Sequence, residues 1–210
     1  MTIAANVTAS NGHTFGSVSR FDDRQPRIVG IGGTTRANSS SEQALRAVLT
    51  RLEQAGAHCT AFCADNIKFP MYDPQDETRC EPARNLLTAV READAVVVST
   101  PGYHGGLSGM LKNALDYLQD LAEDEAPYLH GRAVGCIASA YGWQAGVLAL
   151  SSLRTTVHAL RGWPTPLGVV INSTVAKFAD GGCTDPKVEA QLDSMAQQLM
   201  WFSTTRAAAA

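Results

Sequence analysis

From Arg27 onward, short runs rich in β-branched and apolar residues alternate with longer stretches whose apolar residues recur at intervals of three and four. The short runs are RIVGIGG (27–33), HCTAFCA (58–64), DAVVVST (94–100), RAVGCIAS (132–139) and TPLGVVI (165–171). Several are apolar along their whole length, the pattern of strands covered on both faces and therefore of a parallel sheet. Between them, Leu45, Val48, Leu49 and Leu52 form one helical stripe. Leu111, Ala114, Leu115 and Leu118 form a second, and Leu150, Leu153, Val157 and Leu160 a third. Gly56 stands where a helix ends, and Pro186 opens a last helix that turns Val188, Leu192, Met195 and Leu199 inward. Right-handed crossovers put the helices of such a chain on both faces of the sheet, so the pattern predicts a doubly wound α/β sandwich.

A sheet of this kind binds ligands beyond the carboxyl ends of its strands, where the strand order reverses. In the five-stranded order 2-1-3-4-5 that point lies between the first and third strands. The loops to inspect are those after Gly33, Thr100 and Ser139.

The first loop, IGGTTRANSSSE (31–42), gathers small hydrogen-bonding residues at a strand-to-helix joint. A helix starting near Ser39 to Ser41 leaves its first N–H groups unpaired, beside the hydroxyls of Thr34, Thr35, Ser39, Ser40 and Ser41 and the charge of Arg36. That set suits a phosphate. It lacks the glycine spacing of a dinucleotide fingerprint and the GK[ST] of a triphosphate loop, so a monophosphate fits better. The same residues also read as a capping box, Ser39 with Glu42, and polar filler.

The second loop turns at Pro101-Gly102, presents Tyr103 and His104, and passes Gly105 and Gly106 before a helix begins near Ser108. Glycines there let backbone approach a flat ligand, and the two rings can pack beside its plane. Taken alone, His104 reads equally as a loop histidine with a local hydrogen bond. The third loop, Ser139-Ala140-Tyr141-Gly142-Trp143, sets two aromatic residues around a glycine at the end of the fourth strand. Such rings can serve a core, an interface or a pocket wall. The long connection 65–80 has little internal periodicity and reads as a mobile or partner-facing loop, or as a plain surface excursion.

Whole-chain properties narrow the function. The 210 residues, 45% of them hydrophobic, suit one domain. We expect that domain over residues 27–203, with a disordered or loosely attached arm at 1–26 and a frayed tail at 204–210. A net charge of −3 with scattered Lys and Arg gives no basic face for nucleic acid. No run approaches a membrane span, and the first 26 residues lack the apolar core of a signal peptide. Five cysteines without a CxxC point to neither a disulfide framework nor a metal site, and fit the cytoplasm.

Two motifs carry a resemblance. Gly33-Thr34-Thr35-Arg36 followed by Ser39 and Ser41 stands at the G-S-x-R-x-x-S-x-N loop of the NAD(P)H-dependent FMN reductases, with Thr34 in the serine place and Ser41 in that of asparagine. Pro101, Tyr103, Ser108, Gly109, Leu111, Lys112 and Asn113 match that family's P-x-Y-x-x-x-x-S-G-x-L-K-N run. Over about residues 27 to 200 the chain is similar to these flavodoxin-like proteins, most of all the alkanesulfonate-type reductases that supply reduced flavin to monooxygenases. Gly102 replaces a glutamate found in many relatives, and the third loop is bulkier than is usual.

The resemblance implies a flavodoxin-like three-layer sandwich that binds FMN through the three loops and transfers hydride from NAD(P)H to it. No catalytic side chain is required, because the flavin N5 carries the chemistry and the protein holds two rings in register, worth about 7–11 kcal/mol. The electrons would go to a partner monooxygenase as reduced flavin. The alternatives are direct reduction of a quinone, azo, metal-oxyanion or metabolite acceptor, or service as an electron carrier. The resemblance also implies a homodimer or homotetramer in which the helix expected over 108–121, with Leu107, Met110 and Tyr117, takes part.

Overall fold

The computed structural model describes residues 24–179 and 181–207. Five strand positions form one parallel sheet, in the order second, first, third, fourth and fifth along the chain. Strands β1 (Arg27–Gly32), β3 (Ala95–Pro101) and β4 (Ala133–Ala140) are buried almost throughout, as their uniformly apolar sequences require. Strand β2 (His58–Phe62) lies at the edge, alternates in exposure, and ends two residues before the expected boundary. Ala64, at φ +49, already belongs to a 3₁₀ turn over Ala64–Ile67.

The fifth position differs from the single strand expected at 165–171. Strand β5 (Trp163–Pro164) pairs with Ala133 and Val134, and β6 (Val169–Asn172) pairs with Ile137 to Ala140. Between them the chain bulges out of the ladder, because Pro164 and Pro166 carry no N–H to donate. Thr165 closes the bulge, its N–H donating to the Val134 carbonyl (2.9 Å) and its hydroxyl to the Leu167 carbonyl (2.8 Å).

Helices α1 (Ser40–Gln54) and α5 (Pro186–Ala207) cover one face. Leu45, Val48, Leu49 and Leu52 of α1 meet Val188, Leu192, Met195 and Leu199 of α5 there. Helices α2 (Glu81–Glu92), α3 (Gly109–Asp116) and α4 (Trp143–Ala159) cover the other, through Leu86, Val90, Leu111, Leu115, Leu153 and Val157. Gly56, at φ +97, ends α1 in the left-handed conformation. There the Ala57 and Gly56 N–H groups donate back to the Leu52 and Glu53 carbonyls, a Schellman cap. The helix expected over 108–121 is α-helical only to Asp116 and tightens to 3₁₀ over Tyr117–Leu121. A hairpin of β7 (Phe178–Ala179) and β8 (Gly182–Cys183) precedes α5, and α5 itself extends over residues 204–207 of the expected tail.

The connection 65–80 is strapped along α3. The Asn113 side chain accepts from the Tyr72 N–H (2.8 Å) and donates to the Pro70 carbonyl (2.9 Å). The Tyr117 hydroxyl donates to the same carbonyl (3.1 Å). Arg79 stacks over the Tyr72 and Tyr117 rings and grips Asp120 with two nitrogens (2.6 and 3.0 Å). Tyr117, expected to offer apolar surface to a partner, is therefore only 3% exposed. Its own chain covers it. The expected arm lies outside the described residues up to residue 23.

Candidate functional site

Helix α1 begins as the serine run dictates. Ser39 is its N-cap, accepting from the Glu42 N–H at 3.2 Å. Glu42 reaches back to the N–H of Asn38 (3.2 Å), one residue earlier than a capping box requires, and its other oxygen takes Arg46 (2.8 Å). The one acidic group beside the loop is thus buried and paired. The Ser39 and Ser41 hydroxyls share a hydrogen bond (3.2 Å), and Thr34 Oγ1 accepts from the Arg36 N–H (3.0 Å). The cap leaves donors over. Ser39 caps the helix, while the Ser40 and Ser41 N–H groups, the Ser40 hydroxyl and the exposed Arg36 side chain have no partner among the described residues.

The second loop is a small hairpin. Tyr103 and Gly106 exchange both backbone hydrogen bonds (3.0 Å each), and His104 and Gly105 between them have φ of +51 and +83. Two central residues in the left-handed region make a type I′ turn, which favours glycine at the second. The turn projects Tyr103 and His104 into solvent. Gly102 has a different reason to be glycine. A Cβ there would lie 3.1 Å from the Ala149 Cβ, 3.2 Å from the Ala140 Cβ and 3.3 Å from the Ala145 carbonyl oxygen, so the packing of α4 and the end of β4 disfavours a side chain.

The third loop follows the last residues of β4. Gly102 donates its N–H to the Ser139 carbonyl (2.8 Å), and Ser173, beyond β6, donates its hydroxyl to the Ala140 carbonyl (3.1 Å). Helix α4 then opens at Gly142 without a side-chain cap.

These ties join the three loops into a shallow groove of about 90 Å³ across the carboxyl ends of β1, β3 and β4. It is lined by Thr34, Arg36, Ser39, Ser40, Ser41, Pro101, Gly102, Tyr103, Ser139, Ala140 and Tyr141, which the sequence singled out, and by Ser173, which it did not. The expectation that strand ends build the site would have led to Ser173, had the fifth strand been followed to its end. Thr35, His104, Gly105, Gly142 and Trp143 are neighbours of the groove and not part of its lining. Tyr141 and Trp143 are 78% and 55% exposed, so neither serves the core.

Electrostatically the groove is simple. Among the described residues Arg36 is the one charged residue in its lining, and that lining contains no carboxylate. Cys63 lies behind the first loop with its thiol against Gly32, and burial pushes that thiol up, which keeps it neutral. The donor set matches a phosphate monoester: hydroxyls, helix-start N–H groups and one guanidinium. Beside it, the Gly102 and Ala140 backbones with the Tyr103 and Tyr141 rings match a planar ligand. FMN joins those two parts in one molecule, and the residues present fit it. Among the described residues there is no cluster of metal-ligating side chains and no helix long and apolar enough to cross a membrane.

The chain resembles known proteins in sequence and in fold. The profile of the family described as NADPH-dependent FMN reductase matches residues 26–177. The chain is 34% identical over 106 residues to an NADPH azoreductase from Bacillus sp. strain OY1-2, covering 50% of this chain and 56% of that one. It is 37% identical over 100 residues to an FMN-dependent NADPH-azoreductase of Staphylococcus saprophyticus, covering 47% and 49%. The matched region thus spans about half the length of these relatives. Among solved structures, the flavoenzyme NAD(P)H:(acceptor) oxidoreductase FerB from Paracoccus denitrificans shares the fold, with TM-score 0.60 and 20% identity over 84% of this chain and 98% of that one.

Proposed function

The chain belongs to the NADPH-dependent FMN reductase family, and on that premise we propose that it binds FMN across the groove and uses NADPH to reduce a planar acceptor directly. The observation that carries the reading is the donor set at the start of α1, where Arg36 and two N–H groups have no partner among the described residues and the groove lining holds no carboxylate. When bound, the flavin supplies hydride acceptance from the nicotinamide and electron delivery to the acceptor. The protein's own part is placement. Arg36, Ser40 and the Ser40 and Ser41 N–H groups hold the phosphate, with Thr34 beside them. The hairpin at Tyr103 to Gly106 and the Ala140-Tyr141 backbone set the plane of the ring, and Tyr141 and Trp143 flank the side from which nicotinamide and acceptor enter. Neutral hydroxyls and N–H dipoles around the ring favour its negatively charged reduced form, the electrostatic role proteins play where charge develops.

Direct reduction of an azo or quinone acceptor takes precedence over delivery to a monooxygenase because the azoreductases above share roughly a third of their matched residues with this chain. Flavin delivery is the second reading, favoured by the shallowness of the groove, which leaves the ligand a free path outward. An electron carrier is the third, opposed by a net charge of only −3. The protein works in the cytoplasm, in keeping with five free cysteines, and pairs with a second copy. Met110 and Leu107 of the α3 region are only partly buried, and Val147 and Leu148 of α4, 55% and 48% exposed, offer further apolar surface.

One assay separates the readings. NADPH consumption is followed with the purified protein and, in turn, an azo dye, a benzoquinone and free FMN, and its bound-flavin spectrum is recorded. Turnover of dye or quinone with flavin retained supports direct reduction. Turnover only with free FMN supports flavin delivery, and no NADPH oxidation with any acceptor overturns the enzyme reading.

A further inference from the structure

Buried hydroxyls behind the groove carry more than local structure. Ser108, 4% exposed, is the N-cap of α3 and accepts from the Leu111 N–H (3.1 Å). The same hydroxyl donates across to the Gly33 carbonyl (2.6 Å), the residue just before the first loop. The Ser108 N–H donates to Thr100 Oγ1 (3.0 Å), and Thr100, fully buried, donates its own proton to the Pro101 carbonyl (2.9 Å). A parallel tie runs beside it, from the fully buried Ser99 hydroxyl to the Ser41 carbonyl in the first turn of α1 (2.7 Å). Gly33 allows the closest of these approaches, since a Cβ there would sit 2.9 Å from Ser108 Oγ.

We propose that Ser108 and Thr100 are positioning residues that make the first and second loops one hydrogen-bonded unit, so that holding a phosphate at one end sets the ring-holding hairpin at the other. Neither lines the groove. Their hydroxyls act in a water-excluded layer, where losing one partner leaves a buried carbonyl or N–H unpaired and lets the loops part. The identity of the ligand rests on the FMN reading above. The mechanical linkage of the two loops does not.

Two measurements on Ser108→Ala, with Thr100→Val as a second variant and Thr100→Ser as the conservative control, test the inference. In the ligand-free protein, amide exchange at Arg36 and Ser39 should rise at least tenfold in Ser108→Ala and Thr100→Val. The Ala57 amide, in the far cap of α1, should stay unchanged, and Thr100→Ser should match the parent. Exchange that rises equally at Ala57, or fails to rise at Arg36, overturns the proposal, because a residue that merely stabilises the fold moves all amides together. In the second measurement, Arg36→Ala is combined with Ser108→Ala and FMN affinity is read by flavin fluorescence. The tenfold or greater loss expected from Arg36→Ala alone should shrink to threefold or less when Ser108 is already alanine. Equal losses in both backgrounds overturn the linkage. A parent protein that binds no FMN contradicts the proposed function, and the exchange measurement still decides this inference.

Discussion

The two ends of one sheet are built from opposite materials. At the amino end, charge is internal and matched. Asp94, its side chain 3% exposed, takes both guanidinium nitrogens of Arg24 (2.8 and 2.6 Å) and the Arg27 N–H (2.8 Å). Arg132, 2% exposed, donates to the Ala93 (2.9 Å) and Arg91 (2.8 Å) carbonyls and lies within 3.4 Å of those of Tyr128 and His130. At the carboxyl end, neutral hydroxyls tie the loops behind the surface, and the start of α1 points its unpaired donors outward. The same strands end in polar groups paired within the fold at one edge and beside donors that have no partner among the described residues at the other. The larger cleft, about 480 Å³, lies at the amino end, lined by Arg24, Gln25, Arg27, Ile28, Val29, His58, Thr60, Ala89 and Glu92.

The division predicts that stability and ligand affinity respond to different ends. The largest effect falls at the amino end. Asp94→Ala removes the acceptor of three hydrogen bonds and should cost about 3 kcal/mol of stability in urea titration, since breaking a buried pair strands its partner. FMN affinity of the molecules that remain folded should stay within twofold. A tenfold loss of affinity would erase the contrast between the edges.

Next is Arg36→Ala. Charge-assisted hydrogen bonds contribute about 1.5–3 kcal/mol, so FMN should bind roughly ten- to a hundredfold more weakly with the melting temperature nearly unchanged. Riboflavin, which lacks the phosphate, should bind as before. Equal losses for both flavins would make Arg36 a structural residue.

Gly102→Ala sits between the two kinds of effect. Its Cβ would crowd Ala149, Ala140 and the Ala145 carbonyl, so stability should fall by about 1–2 kcal/mol. The displaced second loop should weaken FMN and riboflavin alike, read in the same titrations. A loss confined to FMN would move the phosphate to the wrong loop.

The smallest effect belongs to the strap, which serves neither edge. Arg79 beside Asp120 holds that carboxyl below its ordinary value of 3.8. Folding therefore favours the ionised form, and the stabilisation is fully present above that ordinary value and fades as pH falls through the lowered one. Asp120→Asn should cost about 1 kcal/mol at neutral pH, the upper end for ion pairs near the surface. The gap between variant and parent should narrow as pH falls below 3.8 and through the lowered value. A gap that persists there would mean that Asp120 acts through packing.

Much of this was legible in the sequence for a physical reason. Periodicity reports burial within one element, so the strands, the stripes of α1 and α5, the Gly56 cap and the Ser39 start could be read directly. Contacts between distant segments leave no such trace. Tyr117 looks available on its own helix, and only the packing of Phe69, Tyr72 and Arg79 from some forty residues earlier covers it. The split of the fifth strand was signalled by Pro164 and Pro166, but which side of the ladder they break depends on β4. The strand-end rule pointed to the three loops that meet at the groove and to most of the residues that line it. It could not tell that the type I′ turn carries His104 away from the groove, that α4 begins by turning Trp143 outward, or that Ser99, Thr100 and Ser108 lie behind it.

We propose that the carboxyl edge holds FMN with its phosphate at the start of α1. Backbone amide ¹H–¹⁵N spectra recorded during titration with FMN, and separately with riboflavin, test it most directly. Both flavins should shift the amides of Tyr103 to Gly106 and Ala140 to Trp143, while only FMN shifts Arg36, Ser40 and Ser41. Shifts centred instead on His58, Thr60, Ala89 and Glu92, around the larger cleft at the amino end, would contradict it.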